Sequence, residues 1–129
     1  MNFRLPKSER LHSVKLIEEL FSEGSSFFLY PFKVVYKGRA PLEEEGTAVL
    51  FSVPKKKLRK AHQRNLVKRR MRESYRLNKH KLTLDRPILL GFVYVSQEIM
   101  SFSDIQSKMV KILDRLNLEY HTNHEDKKP

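Results

Sequence analysis

The side chains in this sequence most able to do chemistry are cations. Between Lys55 and Lys81 stand thirteen lysines and arginines and a single acid, Glu73. Wound at 100° per residue, Arg64, Asn65, Lys68, Arg69, Arg72, Arg76 and Lys79 fall within one arc of about 140°. Lys55, Lys56, Lys57, Arg59 and Lys60 extend the row immediately before it. Crowding like charges along a helix is destabilising unless a counter-charge arrives. A phosphate backbone supplies one, and arginine grips its oxygens through two parallel N–H bonds. Asn65, inside the row, can hydrogen-bond a base edge or a 2′-hydroxyl, whereas the cations alone read no sequence. An ordinary solvated face would intersperse both signs at i,i+4 spacing, and Glu73 is too isolated to neutralise the row. The pattern points to a nucleic-acid partner.

No other set of residues makes a protein catalytic centre, and no catalytic or metal-binding residue is expected. A metal-free nuclease needs two convergent acid–base groups. His62 and His80 lie on one expected helix, about 27 Å apart at its rise, too far to act on one phosphate. His121, His124 and Glu125 sit in a polar tail, and Asp85 and Asp104 have no acidic company. Zero cysteines exclude a thiol nucleophile and any Cys-ligated metal, and four glycines form no phosphate-cradling loop. The run Pro54–Lys60 also fits a nuclear-import pattern, but short basic runs arise by chance in RNA-binding chains. A double-stranded DNA reader fits less well, because nothing resembles a pair of helices joined by a short turn.

The elements that must position the cations belong to one domain. The chain has 129 residues, 40% of them hydrophobic and 10% aromatic, enough for a core. Its net charge is +11, and outside residues 55–81 the thirteen bases are matched by fourteen acids. Residues 1–9 are expected as a flexible arm, 10–116 as the folded core and 117–129 as a polar tail. Ser13 is placed to cap a helix carrying Val14, Ile17, Leu20 and Phe21, stopped by a left-handed Gly24. Residues 27–37 read as one strand in which Phe28, Tyr30, Phe32, Val34 and Tyr36 share a face. Pro31 marks an edge or a bulge in it. Gly38–Gly46 is an acidic loop, and 47–53 is a second strand expected to pair antiparallel with the first. The cationic helix should span 61–79, a central strand 86–95, and a last helix opened by a Ser103–Gln106 capping box. Its stripe is Ile105, Met109, Ile112, Leu113 and Leu116. The order is α-β-β-α-β-α, an α+β fold.

Two stretches resemble the bacterial ribonuclease P protein component: Phe51-Ser-Val-Pro-Lys-Lys-Lys57, and Gln63-Arg64-Asn65-Leu-Val-Lys68-Arg69-Arg70-Met-Arg72-Glu73. Arg10-Leu11 and the Phe21-x-x-Gly24 end of the first helix extend the likeness over roughly residues 10–116. The resemblance implies a single-domain fold like the second domain of ribosomal protein S5, a small mixed sheet with helices packed on it and an open cleft. It implies a protein subunit that promotes removal of the 5′ leader from precursor tRNA, with catalysis by the RNA subunit. Mg²⁺ would be bound mainly by that RNA and not by the protein alone. The partners implied are the catalytic RNA and precursor tRNA, with no membrane and no obligate protein partner. Lys55, Lys56, Lys57, Arg59, Lys60, Arg64, Asn65, Lys68, Arg69, Arg72 and Arg76 would contact RNA. The leader would lie in a cleft between the first helix and the open sheet face, at Ile17, Phe21, Phe32, Val34 and Tyr36, where rings can stack on unpaired bases. Leu66 stands where members often carry Arg, a loss Arg70, Lys57, Arg59 and Lys60 could offset, and Ile17 stands where Phe is common. With no apolar stretch at the N-terminus, a cytoplasmic protein is expected. A ribosomal protein or RNA chaperone remains the alternative.

Overall fold

The computed structural model describes residues 5–39 and 46–126, the side chains of 121–126 excepted. Helix α1 spans Val14–Glu23, and Ser13 caps it by accepting a 3.2 Å bond from the Leu16 N–H. Strands β1 (Ser25–Leu29) and β2 (Phe32–Gly38) follow, then β3 (Ala48–Ser52) and the cationic helix α2 (Ala61–Asn78). Strand β4 (Ile88–Tyr94) and helix α3 (Phe102–Asp126) complete the chain. The sheet order is β1-β2-β4-β3, with β4 antiparallel to β2 and parallel to β3. An α+β domain with a mixed sheet is therefore what the chain forms, and β4, buried along nearly its whole length, is central as expected.

Pairing differs from the expectation in two ways. The expected strand 27–37 folds back on itself at Tyr30–Pro31, so that Leu29 faces Phe32 and Phe28 faces Lys33. Proline offers no N–H to a ladder, so the chain turns there. The expected antiparallel pairing of 47–53 with the first strand does not form. Residues 48–52 run parallel to β4, with α2 as the crossover between them.

The sheet is covered on both faces, unequally. On one, α2 and α3 enclose the larger core, with Phe32, Val34, Tyr36, Phe51, Val67, Met71, Tyr75, Phe92 and Tyr94 all buried. The expected stripe of α3, Ile105 to Leu116, is wholly buried there. On the other face the single helix α1 presses Leu20 against Val35, Ala48 and Leu89, with Ile17 and Leu50 partly buried beside them. Gly24 ends α1 in an extended conformation, φ −75°, and not a left-handed one. Glycine is needed there for room, since a Cβ would stand 2.4 Å from the Leu20 carbonyl oxygen and 2.9 Å from that of Tyr36.

Residues 5–9 and 117–126 are more ordered than composition suggests. Residues 5–9 are folded onto the domain: Leu5 packs against the larger core, and Glu9 pairs with Lys79 at 3.0 Å. The Leu11 N–H then donates to the Val49 carbonyl, so the segment lies against the outer edge of β3. At the other end α3 passes residue 116 without a break, because Tyr120 extends its buried stripe. It starts two residues earlier than the expected box: Ser101 Oγ accepts from the Asp104 N–H at 3.1 Å, and Gln106 instead bonds Asn78. Residues 1–4, the loop residues 40–45 and 127–129 lie outside the described residues.

Candidate nucleic-acid interface

The cations gather where β3 hands the chain to α2. After Val53 the Pro54 carbonyl accepts from the N–H groups of Lys57 and Leu58, at 3.0 and 3.4 Å, and closes a turn. Leu58 drops into the core, while Lys55, Lys56, Arg59 and Lys60 are exposed and Lys57 is half-buried. Leu58 is thus the apolar anchor of a loop that is otherwise almost all charge. Arg64, one turn into α2, reaches back over it, and its Nη1 donates to the carbonyls of Leu58 (2.9 Å) and Arg59 (2.6 Å).

Along α2 the side buried on the sheet consists of Val67, Met71, Ser74, Tyr75 and Asn78. The expected row lies opposite, and it divides. Asn65, Arg69 and Arg72 are exposed and Lys68 half-exposed, and their side chains make no hydrogen bond or ion pair among the described residues. Beyond them, Glu73 accepts hydrogen bonds from the Arg76 guanidinium, including 3.2 Å from Nε. That pairing holds the Glu73 carboxyl below the usual carboxylate range and pushes Arg76 up. Glu73 is therefore not isolated: it occupies the arginine one turn on. Lys79 donates to Glu9 from the N-terminal segment. Arg70 is also engaged, its Nη1 donating to the Met100 carbonyl at 2.6 Å and tying α2 to the start of α3. It therefore does not replace the cation missing at Leu66. Tyr75, beneath this surface, has its hydroxyl pKa pushed up by burial and then by the Glu9 charge.

The five residues expected in one cleft are on two faces. Phe32, Val34 and Tyr36 point into the larger core beneath α2 and α3, with 0%, 0% and 5% of their surface exposed. Ile17 and Phe21 belong to α1 on the other side. The turn at Tyr30–Pro31 explains the error. Pairing 29 with 32 puts even-numbered residues of β1 on the same face as odd-numbered residues of β2. Phe28 therefore joins Lys33 and Val35, not Phe32. Phe28 is 64% exposed, and the Lys33 ammonium lies 5.9 Å from its ring centre.

The open part of this face begins where α1 stops covering it. Phe21 is 44% exposed and its ring lies above Gly91, where a Cβ would come within 3.7 Å of it. By register Ser52 and Val93 continue the floor, and Lys37 at the rim pairs with Glu19 at 3.1 Å. The residues that reading the sequence missed are thus Phe28 and Lys33. A Tyr-Pro pair taken as a chain reversal would have found them.

Among the described residues no three His, Cys, Asp or Glu side chains are grouped to hold a metal ion. Among the described residues the carboxylates that meet the cationic row are Glu73, bonded to Arg76, and Glu9, bonded to Lys79. Such a donor set fits phosphate oxygens and does not fit a hard divalent cation, which needs several oxygen ligands. Among the described residues no helix is long and apolar enough to cross a membrane.

This architecture and sequence have known counterparts. A family model described as Ribonuclease P matches residues 5–117. The chain is similar to a protein of Porphyromonas gingivalis named Ribonuclease P protein component, 41% identical over 119 residues, 88% of this chain and 87% of that one. A protein of the same name from Chlorobaculum tepidum is 33% identical over 102 residues, 70% of this chain and 66% of that one. Among solved structures, the RNase P protein of Staphylococcus aureus superposes with a TM-score of 0.70 at 21% identity. That superposition covers 84% of this chain and 94% of the other. The RNase P protein of Thermotoga maritima gives 0.69 at 23% identity, covering 83% and 96%. At that identity the two structures bear on the fold alone.

Proposed function

The chain belongs to the ribonuclease P protein family, and from that premise we propose that its cationic loop and the first half of α2 form the surface that holds the catalytic RNA. As the protein component of ribonuclease P, it is a subunit of a ribonucleoprotein endoribonuclease that processes tRNA. The observation that carries the assignment is the run of cations without acidic partners among the described residues. Lys55, Lys56, Arg59 and Lys60 of the loop and Asn65, Lys68, Arg69 and Arg72 of the helix that follows are exposed or half-exposed, and Arg64 ties the loop to that helix. Each that meets a phosphate releases a counterion, so affinity should fall steeply with salt. Arg76 stands at the border of this surface, shared with Glu73.

The precursor's 5′ leader, in this reading, lies along the open sheet face beside α1. Phe21 and Phe28 offer rings to unpaired bases and Lys33 offers a charge to the backbone. Stacking on an aromatic side chain contributes about 1–3 kcal/mol per base with little sequence preference, which suits a leader that varies between tRNAs. Phe32, Val34 and Tyr36 take no part, being buried on the other side. Mg²⁺ belongs to the RNA in this scheme. The protein's own part is to neutralise phosphates near the RNA fold and to hold the leader, and this work is placed in the cytoplasm.

Reconstitution tests the whole. Added to a ribonuclease P RNA at low Mg²⁺, the protein should stimulate precursor cleavage, and alone it should cleave nothing. No stimulation would favour a binding module of another kind, such as a ribosomal protein or RNA chaperone. For the leader, Phe28→Ala should weaken binding of leader-bearing precursor by about fivefold or more and leave mature tRNA unchanged. Equal losses on both RNAs would remove the open face from the leader's path.

A further inference from the structure

We propose that Arg64 is a positioning residue, which acts on RNA by fixing the cationic loop Lys55–Lys60 and not chiefly by a phosphate contact of its own. The inference rests on the reading of that loop as RNA-facing and names what holds it ready. Five of its six residues are lysine or arginine, so mutual repulsion favours splaying. Its near end is fixed by the turn at the Pro54 carbonyl and its middle by Leu58 in the core. Its far end has no such device, since Lys60 precedes α2 without a side-chain cap. There the carbonyls of Leu58 and Arg59 receive no backbone N–H among the described residues, and both are met by Arg64 Nη1. A charged donor to two carbonyls makes bonds stronger than neutral ones. The same guanidinium thereby partners two carbonyl oxygens whose partial negative charge would otherwise stand bare among the cations.

Arg64 thus differs from Arg69, one and a half turns further on, whose side chain has no partner within the described residues. If Arg69 meets RNA directly, the two substitutions should leave different traces. In the full-length protein without RNA, Arg64→Ala should speed amide exchange at Lys57 and Leu58 by about tenfold more than it speeds exchange in β4. Arg69→Ala should speed neither. Normalising to β4 separates local loosening from a general loss of stability. With a ribonuclease P RNA, Arg64→Ala should lower affinity by about tenfold, but by less than about twofold when Lys55, Lys56 and Lys57 are already alanine. Arg69→Ala should cost the same in both backgrounds.

Loop amides that exchange at the native rate in Arg64→Ala overturn the proposal. So does an equal loss of affinity in both backgrounds, the mark of an independent contact. If instead the triple lysine variant binds RNA as the unaltered chain does, the RNA-facing reading of the loop fails, and this role of Arg64 fails with it. The exchange measurement alone tells these two failures apart.

Discussion

Between Asn65 and Arg72 the outer side of α2 carries Lys68, Arg69 and Arg72 with no acidic partner among the described residues, whereas from Glu73 onward Arg76 and Lys79 each have one. The residue types are alike and the helix is continuous, so propensity does not separate the halves. What separates them is the company brought by the fold. The second half packs where the N-terminal segment delivers Glu9, and it buries Asn78 between the Ser74 carbonyl and Gln106 of α3. On the outer side of the first half, Asn65, Lys68, Arg69 and Arg72 meet no such partner among the described residues. A charge row read from sequence is therefore longer than its unpaired part among the described residues. The second half holds the fold together and the first is left available for phosphate.

Substitutions can break this division or sharpen it. The largest effect expected is that of Arg69→Ala with Arg72→Ala. Binding to a ribonuclease P RNA should weaken by about 10- to 100-fold, and the slope of log affinity against log salt should flatten by about two contacts' worth. Thermal stability should stay within about 0.5 kcal/mol, as for exposed positions generally. A steep slope retained by the double variant would place the contact surface elsewhere. The second half should give the opposite pattern. Asn78→Ala leaves a buried polar cluster short of a donor and should cost about 1–3 kcal/mol by denaturant unfolding. Affinity of the folded fraction should change by less than about twofold.

How far this was legible in the sequence depends on the range of the interaction. The helix that carries the cations and the stripe Ile105–Leu116 follow from residue identity and the helical repeat, both local; the helix forms nearly as read and the stripe is buried as read, while the row of charge on that helix divides. Strand pairing is not local. One chain reversal at Tyr30–Pro31 changes which residues share a face, and that sent Phe32, Val34 and Tyr36 inward while leaving Phe28 exposed. The partnership of β3 with β4 depends on a crossover through all of α2. The Lys79–Glu9 pair joins residues seventy positions apart, and no spacing rule announces it. Glu73 with Arg76 was within reach, because i,i+3 pairs on a helix are routine. A count of thirteen cations against one acid hides that pair, because pairing depends on proximity and not on totals.

A smaller effect is expected from removing the paired cations together. Arg76→Ala with Lys79→Ala should lower affinity for the RNA by less than about threefold, with the salt slope nearly unchanged. Partly exposed ion pairs are worth about 0–1 kcal/mol each, so a slight loss of stability should accompany it. A loss equal to that of Arg69→Ala with Arg72→Ala would erase the boundary at Glu73 and extend the interface over the whole row.

The smallest change expected is also the one that moves the boundary. Glu73→Gln removes the carboxylate that Arg76 serves and leaves a neutral group of the same shape. If the pair marks the edge of the interface, the released guanidinium joins it. Affinity at low salt should then rise by up to about threefold and the salt slope steepen by up to about one contact. Acid would mimic the substitution only under harsh conditions. Because the Arg76 hydrogen bond lowers the Glu73 pKa in the folded chain, the pair's contribution is present above the ordinary carboxylate range and is lost as pH falls through that lowered value. Between pH 5.5 and 7.5 the native protein should therefore show no change in affinity traceable to Glu73, while Glu73→Gln binds more tightly throughout. A variant that binds more weakly would mean that the Glu73–Arg76 pair itself shapes the surface, and the boundary would then lie beyond Arg76.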